Sequence, residues 1–336
     1  MDFTGSVLAW YKRHGRHDLP WQVPDPYLRW LAEVMLQQTT VTAARPYFER
    51  FRARFPSLED LARAPLDDVL ALWAGLGYYA RARNLHASAG LLIDQHQGRF
   101  PQTLPELTAL PGIGLSTAGA ILAFAFGVPA PILDANVRRV LSRYHGITGR
   151  DTATTRRLWD YARMHTPTRE VAEYTQAIMD LGALVCRRTP LCPTCPLVSG
   201  CLFKGDDAPP PRRLRPERSV VMGIGYNGRA DVLLVRRPPQ GVWGGLWSLP
   251  ECATLADLPP YLASLGLAGT LGQARPPLRH VFTHFALSIT PVPVFLESAG
   301  SRVSENRDMM WYRQHEAKPG MPAPVRRLVN QFWETP

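Results

Sequence analysis

The chain has 336 residues, 46% of them hydrophobic, with 38 Lys and Arg against 28 Asp and Glu and a formal net charge of +10. That is ample material for a core, the length suggests two domains, and the basic balance favours a polyanionic partner. Met1-Asp2-Phe3-Thr4-Gly5 lacks the basic and then apolar run of a signal peptide, and the most apolar stretch, Ala118 to Phe126, is too short to span a bilayer, so secreted and membrane-spanning classes are set aside for a cytoplasmic protein in a reducing compartment.

Up to about Phe203 the pattern predicts a mostly helical region. Amphipathic runs at Tyr27–Thr39, Leu66–Trp73, Arg83–Gln95 and Thr155–His165 are punctuated by Pro46, Pro56, Pro65, Pro101, Pro105 and Pro129. Glu33 lies in the first of these, with Trp30 and Leu36 as helical-spacing neighbours. Desolvated there, its carboxyl would have a raised pKa and could act as a general acid. The blander alternative is a solvated glutamate paired with Arg29, the commoner state of helical glutamates.

Next comes Leu110-Pro111-Gly112-Ile113-Gly114-Leu115-Ser116-Thr117, predicted as a glycine hairpin between two helices. Gly112 and Gly114 can take positive φ and let another backbone approach closely. The amides of such a turn, feeding a helix N-terminus, form an anion site, and in a basic chain the natural anion is a nucleic-acid phosphate. Asp134 follows. It is either a carboxylate that stabilises a developing cation or simply the N-cap of the run Val137-Arg138-Arg139-Val140-Leu141, and both can hold.

Cys186, Cys192, Cys195 and Cys201 then fall in one segment, C-x5-C-x2-C-x5-C, and only Cys252 lies elsewhere. This is metal-ligand spacing rather than a disulfide framework. Four thiolates suit zinc or an iron–sulfur cluster, and spacing alone slightly favours zinc, the commoner site. Residues 204–218, rich in proline and arginine, read as an extended linker. Beyond it, Val220–Tyr226, Val232–Arg236 and Leu287–Phe295 are predicted strands, with helices at Leu255–Leu265 and Val325–Trp333, giving an α+β domain.

The hairpin followed by Asp134 and the four-cysteine loop resembles the helix-hairpin-helix DNA glycosylases. Three blocks narrow the resemblance to the MutY-type adenine DNA glycosylases: Glu33-Val34-Met35-Leu36-Gln37-Gln38-Thr39, Gly75-Leu76-Gly77-Tyr78-Tyr79-Ala80-Arg81-Ala82-Arg83-Asn84-Leu85, and Ile132-Leu133-Asp134-Ala135-Asn136-Val137. It is dense from about Leu19 to Cys201. It implies a helix-hairpin-helix glycosylase domain over 1–203 that includes the loop 186–201, and a Nudix (MutT)-like domain over 219–336 that recognises 8-oxoguanine. The run from Arg236 to Pro250 looks like a Nudix entry segment, but no paired glutamates follow Glu251, so hydrolysis through Mg²⁺ is not expected.

The resemblance further implies that Glu33 protonates N7 of adenine, that Asp134 stabilises the oxocarbenium-like sugar, and that Asn136 is their polar partner. The cysteines would hold a [4Fe-4S] cluster, which overrides the preference for zinc. Gln37, Gln38, Thr39, Leu76, Gly77 and Tyr78 would fill the stack and touch the opposite base once adenine is flipped out. Trp21 and Gln176 match positions near the adenine pocket, and Phe282-Thr283-His284 matches a loop that reads 8-oxoguanine. Ser116 stands where bifunctional endonuclease III-type relatives carry a lysine that forms an imine, which implies a monofunctional enzyme using water.

The chain departs from the family in its first cysteine gap of five residues rather than six, in a turn between Trp21 and Tyr27 one residue shorter than usual, and in Arg138 where lysine is common. The expected partner is double-stranded DNA with A:8-oxoguanine or A:G mispairs, bound by a monomer with no membrane contact. The rivals are a bifunctional glycosylase/lyase acting on oxidised pyrimidines and a non-catalytic reader of damaged DNA.

Overall fold

The computed structural model describes residues 2–205, 215–282, 284–296, 303, 306–317 and 319–334. The N-terminal part is helical: α1 (Phe3–His14), α2 (Pro26–Leu36), α3 (Val41–Arg54), α4 (Leu58–Arg63), α5 (Leu66–Trp73), α6 (Ala80–His96), α7 (Leu104–Ala109), α8 (Leu115–Phe126), α9 (Ala135–Tyr144), α10 (Thr152–His165) and α11 (Val171–Asp180), the last continued by a π-helical turn at Leu181–Val185. Starts are set by short polar side chains. Asp2, Asp25, Thr40, Ser57, Asp134 and Asp151 each accept a first-turn amide. The spacing-based prediction for α5 matches the observed helix, whereas the helix predicted to run to Thr39 ends at Leu36, and Gln38 has φ of 56°.

Two compact units result, Met1–Ala64 with Arg83–Pro209 and Pro65–Ala82 with Pro210–Pro336. In the first, α8 buries Ala118 through Phe124 and packs against α2, while α1 packs against α11. Being apolar on all faces, α8 can only be an interior helix. Phe3, Val7, Trp10, Val137, Leu141, Leu158 and Ile178 belong to one continuous core.

The second unit holds an eight-stranded sheet. Its strands are β1 (Glu217–Tyr226), β2 (Val232–Arg236), β3 (Trp247–Ser248), β4 (Glu251–Cys252), β5 (Gly269–Leu271), β6 (Leu278–Val281), β7 (Ala286–Leu296) and β8 (Met309–Tyr312). β1 and β7 run parallel over their length, from Glu217 opposite Ala286 to Tyr226 opposite Phe295. Val221, Leu233, Val292 and Val294 face a core shared with α12 (Leu258–Ser264). The helix predicted over Leu255–Leu265 is split into a 3₁₀ turn at Leu255–Asp257 and α12, with Pro259 in the first turn of α12, where it removes no helical hydrogen bond. The final helix is α13 (Ala323–Glu334). Among the described residues no helix is long and apolar enough to cross a membrane.

Candidate active site

Glu33 comes from the third turn of α2, whose other side buries Trp30, Leu31 and Met35. It lines a cleft of about 900 Å³ in the first unit, shared with Trp21, Gln37, Gln38, Thr39, Gly114, Ser116, Asp134, Asn136 and Gln176. Ten residues singled out from sequence therefore meet in one cleft. Burial lifts the Glu33 carboxyl from an ordinary 4.5 to about 7, with the nearby Asp134 charge adding to the rise and Arg29 opposing it. Arg29 does not form the ion pair of the blander reading. Its Nε donates to the Val23 carbonyl at 2.8 Å and its guanidinium lies 4.8 Å from the Phe124 ring centre.

Asp134 caps α9, its Oδ1 accepting the Val137 amide at 2.7 Å and its Oδ2 accepting Asn136 Nδ2 at 3.3 Å. The cap fixes the carboxylate while leaving it on the cleft wall. Burial raises its pKa, and the bonds from Val137 and Asn136 pull the other way, ahead of a smaller Arg139 effect. Ser116 braces the same segment, its Oγ accepting the Leu133 amide at 3.1 Å. Asn136 is steered by Arg139, whose Nη2 donates to Asn136 Oδ1 at 2.8 Å and to the Gly182 carbonyl at 2.7 Å.

The two glycines of the hairpin between α7 and α8 play different parts. Gly112 has φ of +78°, and an added Cβ would lie 2.9 Å from Asn84 Cβ, so glycine is required there. Gly114 instead has φ of −90°, because it serves as the N-cap of α8, where extended backbone suffices. It faces open space and no side chain caps the helix, which leaves first-turn amides for an external anion. Gln37 ties α2 to this hairpin, its Nε2 reaching the Gly112 carbonyl at 3.1 Å and Thr117 Oγ1 at 3.2 Å.

Comparison with known proteins decides the family. An adenine DNA glycosylase of Buchnera aphidicola (subsp. Acyrthosiphon pisum) is 34% identical over 340 residues, covering 98% of this chain and 97% of the relative. The chain belongs to the adenine DNA glycosylase family. The Homo sapiens adenine DNA glycosylase is 35% identical, covering 99% of this chain and 74% of its own. Residues 31–164 match the HhH-GPD superfamily base excision DNA repair proteins, and residues 221–331 match the NUDIX domain. A thermostable thymine-DNA glycosylase superposes with a TM-score of 0.55 at 28% identity, covering 60% of this chain and 94% of that one. A non-covalent endonuclease III–DNA complex does so with a TM-score of 0.52 at 26% identity, covering 59% and 91%. The enzyme is thus a DNA-binding glycosylase with a helix-hairpin-helix region and a Nudix-like domain.

The remaining sequence-derived residues lie outside the cleft. Leu76, Gly77 and Tyr78 belong to the second unit, as do Phe282 and His284, while Thr283 is outside the described residues. Tyr78 is 41% exposed. Phe282 sits at the tip of the β6–β7 hairpin, stacked on Phe285 at 4.5 Å, and His284 is exposed. Arg138, the cation in place of lysine, donates to Thr155 Oγ1 at 3.0 Å.

Cys186, Cys192, Cys195 and Cys201 are free thiols lining one cavity of about 90 Å³ with Arg143, Val185, Val198 and Phe203. The shortened first gap still brings all four to that cavity. Arg143 is buried beside it, with Nη1 3.4 Å from Cys186 Sγ and hydrogen bonds to the Arg187 and Arg188 carbonyls.

Sequence reasoning missed three groups. Arg139 also donates to the Cys186 carbonyl at 2.6 Å, joining the cysteine loop to Asn136. Asp180, fully buried, accepts from Gln176 Nε2 at 2.8 Å, from Arg16 Nη2 at 2.6 Å and from the Arg16 amide at 2.7 Å. Its spacing of four from Gln176 was the available signal, since such residues share a helix face. Arg16 lines the cleft itself, but nothing local marks it.

Proposed function

We propose that this enzyme hydrolyses the N-glycosidic bond of adenine opposite 8-oxoguanine, and of adenine opposite guanine, without cleaving the strand. The observation that carries this reading is the pair of carboxylates in one cleft, with Glu33 raised to about 7 and Asp134 held by Val137 and Asn136. Glu33 starts protonated in a useful fraction of molecules and delivers its proton to N7, which makes adenine a neutral leaving group. Asp134, whose ionised form is favoured by the bonds from Val137 and Asn136 against the rise that burial causes, stabilises the positive sugar. Asn136 orients it. Water completes the reaction, because Ser116 Oγ is engaged with the Leu133 amide and carries no amine for an imine.

Gly112, Gly114 and the open start of α8 suit a backbone phosphate. In the first unit Gln38, strained at φ 56° and exposed, and Thr39 suit the emptied stack. In the second unit Leu76, Gly77 and Tyr78 are assigned to the opposite base by their match to the family's segment. Trp21 and Gln176 wall the adenine pocket. Phe282, Thr283 and His284 read 8-oxoguanine. The protein acts as a monomer over residues 1–203 and 219–336, joined by the 204–218 linker.

The four thiols fit a [4Fe-4S] cluster. They surround a cavity rather than pairing as disulfides, apolar Val185, Val198 and Phe203 shield it, and the buried Arg143 offsets thiolate charge. Cys186, Cys192, Cys195 and Cys201 would hold it, and when bound it would brace the loop that carries Arg139's carbonyl partner.

An excision assay on A:8-oxoguanine, A:G, T:G and thymine-glycol duplexes tests the reading, with borohydride added in parallel. Free adenine from the first two and no trapped protein–DNA adduct is the expected result. Release of an oxidised pyrimidine with efficient trapping would establish the lyase alternative, and binding without release would establish a non-catalytic reader.

A further inference from the structure

Segment 65–82, although flanked by first-unit residues, packs with the Nudix-like domain. Two independent features hold it there. Asp67, in the first turn of α5, receives both guanidinium nitrogens of Arg236, Nη1 to Oδ1 at 2.7 Å and Nη2 to Oδ2 at 2.6 Å. Arg236 ends β2, lies 4.5 Å from the Trp247 ring centre and donates its amide to the Asp308 carbonyl. Stacking and the backbone bond fix the fork, so the pair keeps its geometry although neither side chain is fully buried. One turn further along α5, a Cβ on Gly320 would lie 3.0 Å from the Leu70 carbonyl carbon and 3.1 Å from the Ala71 nitrogen. Gly320 also accepts the Trp247 amide at 2.9 Å.

The other end of α5 carries the loop that follows it. Trp73 Nε1 donates to the Gly77 carbonyl at 3.0 Å, and Arg81 Nη2 donates to the same oxygen at 3.1 Å. The Gly75 amide is taken by the Tyr79 hydroxyl at 3.2 Å. Gly75 and Gly77 take positive φ, which glycine adopts freely, and Tyr78 between Gly77 and Tyr79 holds φ of 49°, a conformation a tyrosine keeps only when its surroundings fix it. The loop is braced from α5, and α5 is braced from the sheet.

We infer that Arg236 and Asp67 are positioning residues for the 75–79 loop, so that the Nudix-like domain sets how Leu76, Gly77 and Tyr78 are presented to DNA. The inference rests on the proposed role of those three residues at the opposite base. It gives the C-terminal domain a second route to the mispair, besides the Phe282–His284 hairpin tip.

The test is hydrogen exchange of the full-length protein without DNA, comparing wild type with Asp67→Asn, Arg236→Leu and the double variant. Losing a partly exposed ion pair should speed exchange of the amides at 75–81 by about twofold to fivefold, leaving α8 unchanged. The double variant should match Arg236→Leu, because both changes break one pair. Asp67→Asn is nearly isosteric and carries the test if Arg236→Leu fails to fold. In a Glu33→Gln background the same variants should weaken binding to A:8-oxoguanine and A:G duplexes by a similar factor at one salt concentration. Wild-type exchange at 75–81 in both single variants overturns the inference. Faster exchange with unchanged DNA binding upholds the coupling and instead removes Leu76, Gly77 and Tyr78 from the proposed interface.

Discussion

Replacing Glu33 by glutamine should abolish excision and at the same time stabilise the protein at neutral pH. An ordinary glutamate would be protonated in only about 1 molecule in 300 at pH 7, whereas a pKa of about 7 makes the fraction about one half. Glutamine keeps the shape but delivers no proton, and general-acid catalysis is typically worth about 10²–10⁴-fold. The stability effect follows from the same shift. Folding raises the Glu33 pKa above its unfolded value, so the folded state holds the proton more tightly. The stability present at low pH is lost as pH rises from about 4.5 through about 7, at a total cost on the order of 3 kcal/mol. Glutamine never ionises and avoids that loss.

Single-turnover excision and calorimetry at pH 4.5 and pH 8 check both halves of this prediction. Glu33→Gln should melt like wild type at the lower pH and several degrees higher at pH 8. Excision within tenfold of wild type, or a lower melting temperature at pH 8, would refute the buried-acid reasoning.

Asp134→Asn separates capping from catalysis. Asparagine caps as well as aspartate, so stability should change by less than about 0.5 kcal/mol. The oxocarbenium would lose its counter-charge and single-turnover excision should fall by about 10²-fold or more. Purified protein should contain about four irons per chain by elemental analysis, retained in Cys252→Ala and lost in Cys192→Ala, whereas stoichiometric zinc would contradict the cluster. His284→Ala should lower the ratio of affinities for A:8-oxoguanine over A:G by about fivefold or more at fixed salt, and an unchanged ratio would remove His284 from lesion reading.

What was legible in the sequence was local. The pattern of apolar residues gave α5 and β2 at their observed bounds, because α5 buries Val69, Leu70 and Trp73 on one helical face and β2 is a short apolar run buried on both faces. The hairpin, Asp134 and the four cysteines are sequence-near groups whose meeting requires only one turn or one loop. Positive φ was open to both hairpin glycines, and spacing alone did not tell that Gly112 uses it while Gly114 serves as the extended N-cap of α8. The supports of the cleft were harder to read. Arg16 and Asp180 are 164 positions apart, and Arg139 and Cys186 are 47 apart. Residues 65–82 belong to the second unit, and there Asp67 pairs with Arg236, 169 positions away. Contacts of that separation leave no periodicity behind, and a lone Arg or Asp in the sequence reads as a solvated surface charge.

The central claim is that a half-buried, desolvated Glu33 drives adenine release as a protonated acid. The rate of single-turnover excision from an A:8-oxoguanine duplex, measured from pH 5.5 to pH 9, tests it most directly. The rate should fall tenfold per pH unit above about pH 7, as the acid is lost. A rate that is flat across that range, or that rises with pH, would contradict it.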